Sequence, residues 1–346
     1  MYVVRPVEPA DVGALETLLA ASTPGVHTLP RTREKIAAFV ERSVASFAAH
    51  VDIPSEESYL FVLEDAGNRQ LVGTAAIHAS AGSNGTYFAF RNDVIQQVSR
   101  DLNISHSVHA LTLCSELTAY SQLSGFYIRD RDAGRREAAL LSRARLLYAV
   151  LAPHRFGDRF FVPLAGVTDE GGQSPFWDAL GRKFFKMDFL DAERTIGGAR
   201  NRTLIVELMP HYPVYVPLLP GPAQAVMGQI HPSGELAFDL LTEEGFEADE
   251  YIDIFDGGPI LQAHKHALHS FSGSIVRKVA NAELQPPTRG GKAAMVNYAV
   301  ASSERKFRAI VLPCDPAESA DAICLPPAAR EALGVETGDS VICVRI

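Results

Sequence analysis

The chain has 346 residues, 47% of them hydrophobic and 21% charged, with a formal net charge of -9. These totals describe an ordinary folded protein, long enough for two compact domains or one large domain with additions, and exclude a disordered chain. The acidic balance argues against a general nucleic-acid binder and suits a small cationic substrate better.

In chain order, Tyr2 to Val7 read as a strand and Pro9 to Leu19 as a helix with Val12, Leu15, Leu18 and Leu19 on one face. "TPGVHTLP" breaks the pattern, and a second helix is expected from about Arg33 to Ala49. Two strands, "YLFVLED" and "QLVGTAAIHA", are joined by the turn-forming "AGNR". "HALTLC" and "SGFYI" are strand-like, and a long helix follows with Ala139, Leu140, Ala144, Leu147 and Tyr148 on its inner side. "RFFVPLAGV" reads as a strand. "SPFWDALGRKFF" reads as a helix with Ser174 as N-cap and Pro175 in the first helical position. The proline-rich "MPHYPVYVPLLPGP" is expected to be extended. "SGELAFDLLTEEGF" is a helix with Leu236, Leu240 and Leu241 facing a core and Gly245 as its C-terminal cap, and "YIDIFDGGP" is a strand ending in a turn. "LQPPTRGGKAA" reads as a linker, and the remainder as short strands with one short helix. This order predicts a mixed sheet flanked by helices.

The four cysteines, Cys114, Cys314, Cys324 and Cys343, form no CxxC pair and have no zinc-ligand spacing, which predicts reduced buried thiols and no metal. His264, His266 and His269 in "AHKHALH" lack an acidic or cysteine companion at diagnostic spacing and are assigned to an exposed helix face. The first residues carry no basic segment followed by an apolar run, and no charge-free apolar stretch is long enough to cross a bilayer. A cytoplasmic protein without membrane or nucleic-acid partners is expected.

Chemistry is concentrated in three places. In "YIRDRDAGRREAALL" a strand passes through a charged turn into a helix, whose N-terminal N–H groups can bind phosphate oxygens. Arg131-x-x-Gly134 matches the first half of the Arg/Gln-x-x-Gly-x-Gly/Ala turn with which acetyltransferases of the GNAT type hold CoA; Arg136 stands where that turn has a small residue. Arg131, Arg135 and Arg136 can bind phosphate through their guanidinium groups, and they equally read as a solvated turn paired with Asp130, Asp132 and Glu137. His231 lies just before Pro232 and a helix, where the dipole favours a neutral imidazole that can exchange a proton; an exposed or structural histidine is the competing reading. Glu116, Asp253 and Asp256 are carboxylates suited to a guanidinium or ammonium substrate, and they equally suit turn capping.

The long motifs are more specific. "VRPV", "YLFVLED", "SPFWDALGRKFFKMDF", "VELMPHYPVYVPLLP", "MGQIHP" and "EGFEADEYIDIFDGGP" resemble the arginine N-succinyltransferase family, in order, over roughly residues 1 to 272. The resemblance implies an α/β (α+β) GNAT-like acyltransferase fold with a mixed sheet flanked by helices, plus a small β-rich C-terminal appendix. It divides the chain into a GNAT-like acyl-CoA domain (1–210), a second part of the core carrying His231 and the DIFDGGP turn (211–272), and a linker with the appendix (273–346). It implies succinyl transfer from succinyl-CoA to the α-amino group of L-arginine, with L-ornithine as a second acceptor, and His231 as proton donor. The succinyl-CoA contact before the turn falls on Phe126, with the neighbouring backbone of Tyr127 and Ile128, where single-chain members have leucine and a glycine-rich turn. The extension and altered turn look like the alpha chain of the two-subunit form, which implies a homologous beta subunit and leaves a catalytic and a non-catalytic partner role both open.

Overall fold

The computed structural model describes every residue except 21–31, 84, 130–133, 197–201, 282–295, 303 and 315–320, together with all but the side chains of 193–196, 202, 203, 249 and 281. The N-terminal part contains β1 (Tyr2–Pro6), α1 (Val12–Ala20), α2 (Arg33–Ala48), β2 (Ser58–Asp65) and β3 (Leu71–His78). Next come β4 (Ala89–Ser99), β5 (Ile104–Cys114), β6 (Ser121–Ile128), α3 (Arg135–Leu151) and β7 (Arg159–Pro163). Five short helices follow: α4 (Pro175–Ala179), α5 (Gly181–Phe185), α6 (Phe189–Ile196), α7 (Arg202–Leu208) and, after β8 (Val214–Tyr215), α8 (Gly221–Val226). Then α9 (Glu235–Glu244), β9 (Glu247–Ile252), β10 (Pro259–His264) and α10 (His269–Ser272) lead to β11 (Ile275–Asn281), β12 (Val296–Ser302), β13 (Arg308–Cys314), β14 (Ala322–Leu325), α11 (Pro327–Leu333) and β15 (Ser340–Arg345).

The strands form one mixed sheet in the order β14-β11-β15-β12-β13-β1-β2-β3-β6-β7-β10-β9-β4-β5-β8. On one face α3 buries Leu140, Leu141, Ala144, Leu147 and Tyr148 against Phe61, Ile77, Leu123 and Phe160. On the other, α1 and α2 bury Leu15, Leu18, Ile36 and Val40 against Val62, Ala76 and Tyr127. A sheet whose central strands are covered on both faces reads as a near-continuous apolar run, and "YLFVLED" has that character. A third cluster, with Trp177, Phe176 and Phe189, packs the short helices on β4 and β9. No helix among the described residues is long and apolar enough to cross a membrane.

The expected mixed sheet with flanking helices is present, and the departures from the sequence reading have local causes. The helix expected over "SPFWDALGRKFF" starts as predicted, with Ser174 Oγ accepting from the Trp177 N–H at 3.1 Å, but it breaks at Leu180 into α4 and α5. The indole of Trp177 fills the corner: a Cβ on Gly181 would lie 2.2 Å from it, so the chain turns there on a residue without a side chain. The "AHKHALH" histidines do not share a helix face. His264 ends β10, His266 lies in a 3-10 turn, and His269 opens α10. The hairpin of β4 and β5, paired over eleven residues on each strand, was only half foreseen, through "HALTLC". The "LQPPTRGGKAA" linker lies wholly outside the described residues. The β-rich appendix joins the main sheet, because β13 pairs antiparallel with β1.

Candidate active site at a strand fork

β6 and β7 run parallel but share register only at Ser121↔Phe160 and Gln122↔Phe161. Beyond that point β6 continues to Ile128 while β7 ends at Pro163, so the two strands part into a fork. Backbone N–H groups on a strand edge that leaves its neighbour are donors aimed into the gap. The other edge of β6 stays on β3, where Thr74 faces Tyr127 and Ala76 faces Ser124. Gly125 and Phe126 therefore oppose the single residue Ala75, which makes a β-bulge, and Gly125 takes φ +58° to form it. Phe126 is half-buried at this bulge, whereas the side chains of Tyr127 and Ile128 are buried in the cores on opposite faces. Any contact Tyr127 and Ile128 make in the fork is made by their backbone.

His231 belongs to the opposite arm. The chain beyond β7 bridges Gly166 to Ile230, and the His231 N–H donates to the Ala165 carbonyl at 2.8 Å. The imidazole, half-buried, caps the turn Pro232–Gly234 that opens into α9: its Nδ1 accepts from the Ser233 N–H at 3.1 Å and lies 2.8 Å from Ser233 Oγ. A ring nitrogen that accepts from a backbone N–H carries no proton, so the neutral ring holds its proton on Nε2.

The "DIFDGGP" turn braces this arm. Asp256 is fully buried, and its carboxylate accepts from the Gly166 N–H at 2.7 Å and the Gly258 N–H at 2.8 Å. The Gly228 N–H donates to the Gly257 carbonyl at 2.8 Å, tying in the segment that leads to His231. A Cβ on Gly166 would stand 2.6 Å from the Asp256 carbonyl oxygen, so this close approach requires glycine. Asp256, read from sequence as a substrate ligand, lies inside the fold instead, where each of its carboxylate oxygens accepts from a backbone N–H and so braces the turn against the chain beyond β7. Asp253 Oδ1 accepts from the Phe255 N–H at 2.7 Å within the same turn, and Asp253 is half-buried.

Glu116 lies just after β5 with 49% of its side chain exposed. It accepts from Arg91 at 2.6 Å and from the Tyr251 hydroxyl at 2.7 Å, and these contacts, the tyrosine first, hold its carboxyl below the usual range. Arg91 also reaches Asp93 at 2.7 Å. Burial pushes the neighbouring Cys114 thiol up to about 11, so it stays protonated at neutral pH and is not a nucleophile.

At the start of α3, Gly134 is the N-cap. Arg135 crosses to α9, 2.6 Å from Glu243 and 3.8 Å from Asp239, while Arg136 is half-exposed and 3.8 Å from Glu137. Arg131 lies outside the described residues. Arg135 thus ties the start of α3 to the C-terminal half of α9.

The sequence reading missed two residues here. Gly125 carries a signal only in retrospect, as a glycine within a strand pattern, which often marks a bulge. Arg145 of α3 is 1% exposed, with its guanidinium 5.6 Å from the centre of the Phe126 ring. An arginine flanked by Ala144 and Leu146 gives no sequence sign of burial.

The family model described as arginine N-succinyltransferase beta subunit matches residues 2–270, and that of its C-terminal domain matches 282–345. The chain belongs to the arginine N-succinyltransferase family. Within that family it is 44% identical to the arginine N-succinyltransferase subunit alpha of Pseudomonas aeruginosa, covering 100% of both chains. It is 34% identical to an arginine N-succinyltransferase of Yersinia pseudotuberculosis, over 100% of this chain and 98% of the relative. Among solved structures it resembles arginine/ornithine succinyltransferase subunit AI from Pseudomonas aeruginosa, with a TM-score of 0.87 and 42% identity over 100% of this chain and 98% of that one. Full-length coverage extends the family likeness through the C-terminal strands, beyond the stretch whose motifs carried the resemblance in the sequence.

Proposed function

We propose that this chain transfers the succinyl group of succinyl-CoA to the α-amino group of L-arginine, with L-ornithine as a second acceptor. The observation that carries the reading is the fork: a bulged strand at Phe126 on one arm, and on the other a histidine whose Nδ1 is engaged by its own turn, leaving the proton on Nε2. The thioester enters the fork with its carbonyl oxygen toward the backbone N–H groups of β6 near Phe126, Tyr127 and Ile128, which stabilise the oxyanion as it forms. The CoA phosphates lie at the start of α3, on Gly134, Arg135 and Arg136.

The neutral α-amine attacks the thioester carbon, a C–N bond forms, and the C–S bond breaks. The net proton movement is from the attacking nitrogen to the departing sulfur: the Nε2 proton of His231 passes to the thiolate as the C–S bond breaks, and the proton released by the attacking nitrogen restores the neutral ring. Transfer is direct, with no acyl-enzyme. Glu116 and Asp253 supply negative charge for the guanidinium of the acceptor, and Asp256 positions the His231 arm from behind. A homologous beta subunit is the partner, and the cytoplasm is the compartment.

The test is product formation by the purified chain, alone and with its beta partner, from succinyl-CoA with L-arginine or L-ornithine. Mass-spectrometric detection of the α-N-succinylated amino acid, with stoichiometric CoA release, is the expected result. Hydrolysis of succinyl-CoA without an acylated amine, in folded samples, would count against it.

A further inference from the structure

Arg145 is a buried charge whose hydrogen bonds all go to neutral groups. Its Nε donates to the Ser142 carbonyl at 3.1 Å and its Nη2 to Ser142 Oγ at 3.0 Å, both on its own helix. Its Nη1 reaches only the Ser124 carbonyl, at a long 3.5 Å. Among the described residues no carboxylate lies within ion-pair distance of it. Glu244, the anion that acts on it through space, is itself held 2.9 Å from Arg143 and accepts from the Ser270 N–H at 2.6 Å. Burial pushes the guanidinium down to about 9, so it remains charged at neutral pH. A guanidinium offers five donors in a planar fork matched to a carboxylate, and a buried one without a counter-ion is costly unless a ligand brings one.

Its position identifies that ligand. Ser124, Gly125 and Phe126 form the stretch of β6 that leaves β7 and bulges, and Arg145 reaches it from α3 with the half-buried Phe126 ring over its guanidinium. A thioester carbonyl held by the backbone near Phe126 places the substituents of its acyl chain beside this ring. Succinyl differs from an uncharged four-carbon acyl group by a carboxylate two methylenes from the thioester. We propose that Arg145 reads this terminal carboxylate through the fork, with the Phe126 ring as the cover over the pair, and thereby selects dicarboxylic acyl donors. The proposal rests on the reading of the fork as the acyl-CoA site.

The experiment is calorimetric binding of succinyl-CoA, butyryl-CoA and free CoA to the unmodified chain and to Arg145→Met. The unmodified chain is expected to bind succinyl-CoA about 10- to 100-fold more tightly than butyryl-CoA, the range of a charged hydrogen-bonded pair. In Arg145→Met that preference collapses while butyryl-CoA affinity is kept. Ser142→Ala, which removes only the hydroxyl partner of Nη2, reports on the same guanidinium where Arg145→Met does not fold; its succinyl preference is expected to fall, and an unchanged preference would count against the proposal. Equal affinity of the unmodified chain for the two acyl-CoAs, or an equal loss of all three ligands in Arg145→Met, would overturn the Arg145 assignment and leave the CoA site standing. Absence of binding by all three to the unmodified chain would overturn both.

Discussion

Asp256 and Gly166 illustrate how a residue's partners decide its task. The buried carboxylate holds two backbone N–H groups, one of them on Gly166, and Gly166 neighbours the Ala165 carbonyl that accepts from His231. Gly166→Ala would drive a methyl group to 2.6 Å from the Asp256 carbonyl oxygen, so the braced loop must move. We expect a loss of about 1 to 3 kcal/mol of stability, the usual cost of overpacking. The turnover of the folded variant should fall more than tenfold, about what a misplaced catalytic group costs. Thermal unfolding and steady-state turnover measured together check this, and near-normal turnover would show that the brace does not set the His231 position. The sequence could not assign Asp256 to this role, because a carboxylate in a glycine-rich turn is ordinarily exposed and its two donors are 90 and 2 residues away. The place of His231 ahead of Pro232 and a helical turn was legible in the sequence, whereas its partner Ser233 was not, because a side-chain cap depends on how the turn closes.

At the scale of elements, the bulge of β6 is the feature that turns a strand into one arm of a site. Gly125 at φ +58° occupies the left-handed region, where a β-branched residue is strained by about 1 to 3 kcal/mol. Gly125→Val is expected to straighten the bulge or destabilise β6, raising the KM for succinyl-CoA well beyond that for the amino acid. Initial-rate kinetics with each substrate varied would show this, and equal changes in the two KM values would contradict it. The long helix α3 was readable from its apolar spacing, and so was the Ser174-capped start of α4, but the break at Leu180 was not, since it depends on where the Trp177 ring packs. The β4–β5 hairpin was also half-hidden, because its outer half is exposed and polar, with little of the apolar alternation that marks a strand.

Across the whole molecule the appendix proves to be part of the sheet. Val4 on β1 faces Ala309 on β13, and Phe307 packs 5.3 Å from Phe61 and 5.4 Å from Tyr148, ring centre to ring centre. Sequence patterning marked these C-terminal strands but not their partner, because a pairing between residues some 300 positions apart leaves no local trace. A chain ending at Ser272 would expose the β13-facing edge of β1 and uncover Tyr148 on the helix that opens at the fork. We expect such a chain to unfold at a lower temperature and to self-associate through the open edge. Differential scanning calorimetry and sedimentation check this, and a monomer as stable as the full chain would contradict it.

The central claim is that a proton-carrying His231 on one arm of the fork serves a thioester held on the other. The direct measurement compares CoA release from succinyl-CoA and L-arginine by the active assembly containing either the unmodified chain or His231→Asn, with succinyl-CoA binding measured alongside. The account predicts a fall in kcat of about 10²- to 10⁴-fold, the usual contribution of a positioned acid, with binding retained. A variant that binds and turns over like the unmodified protein would contradict it.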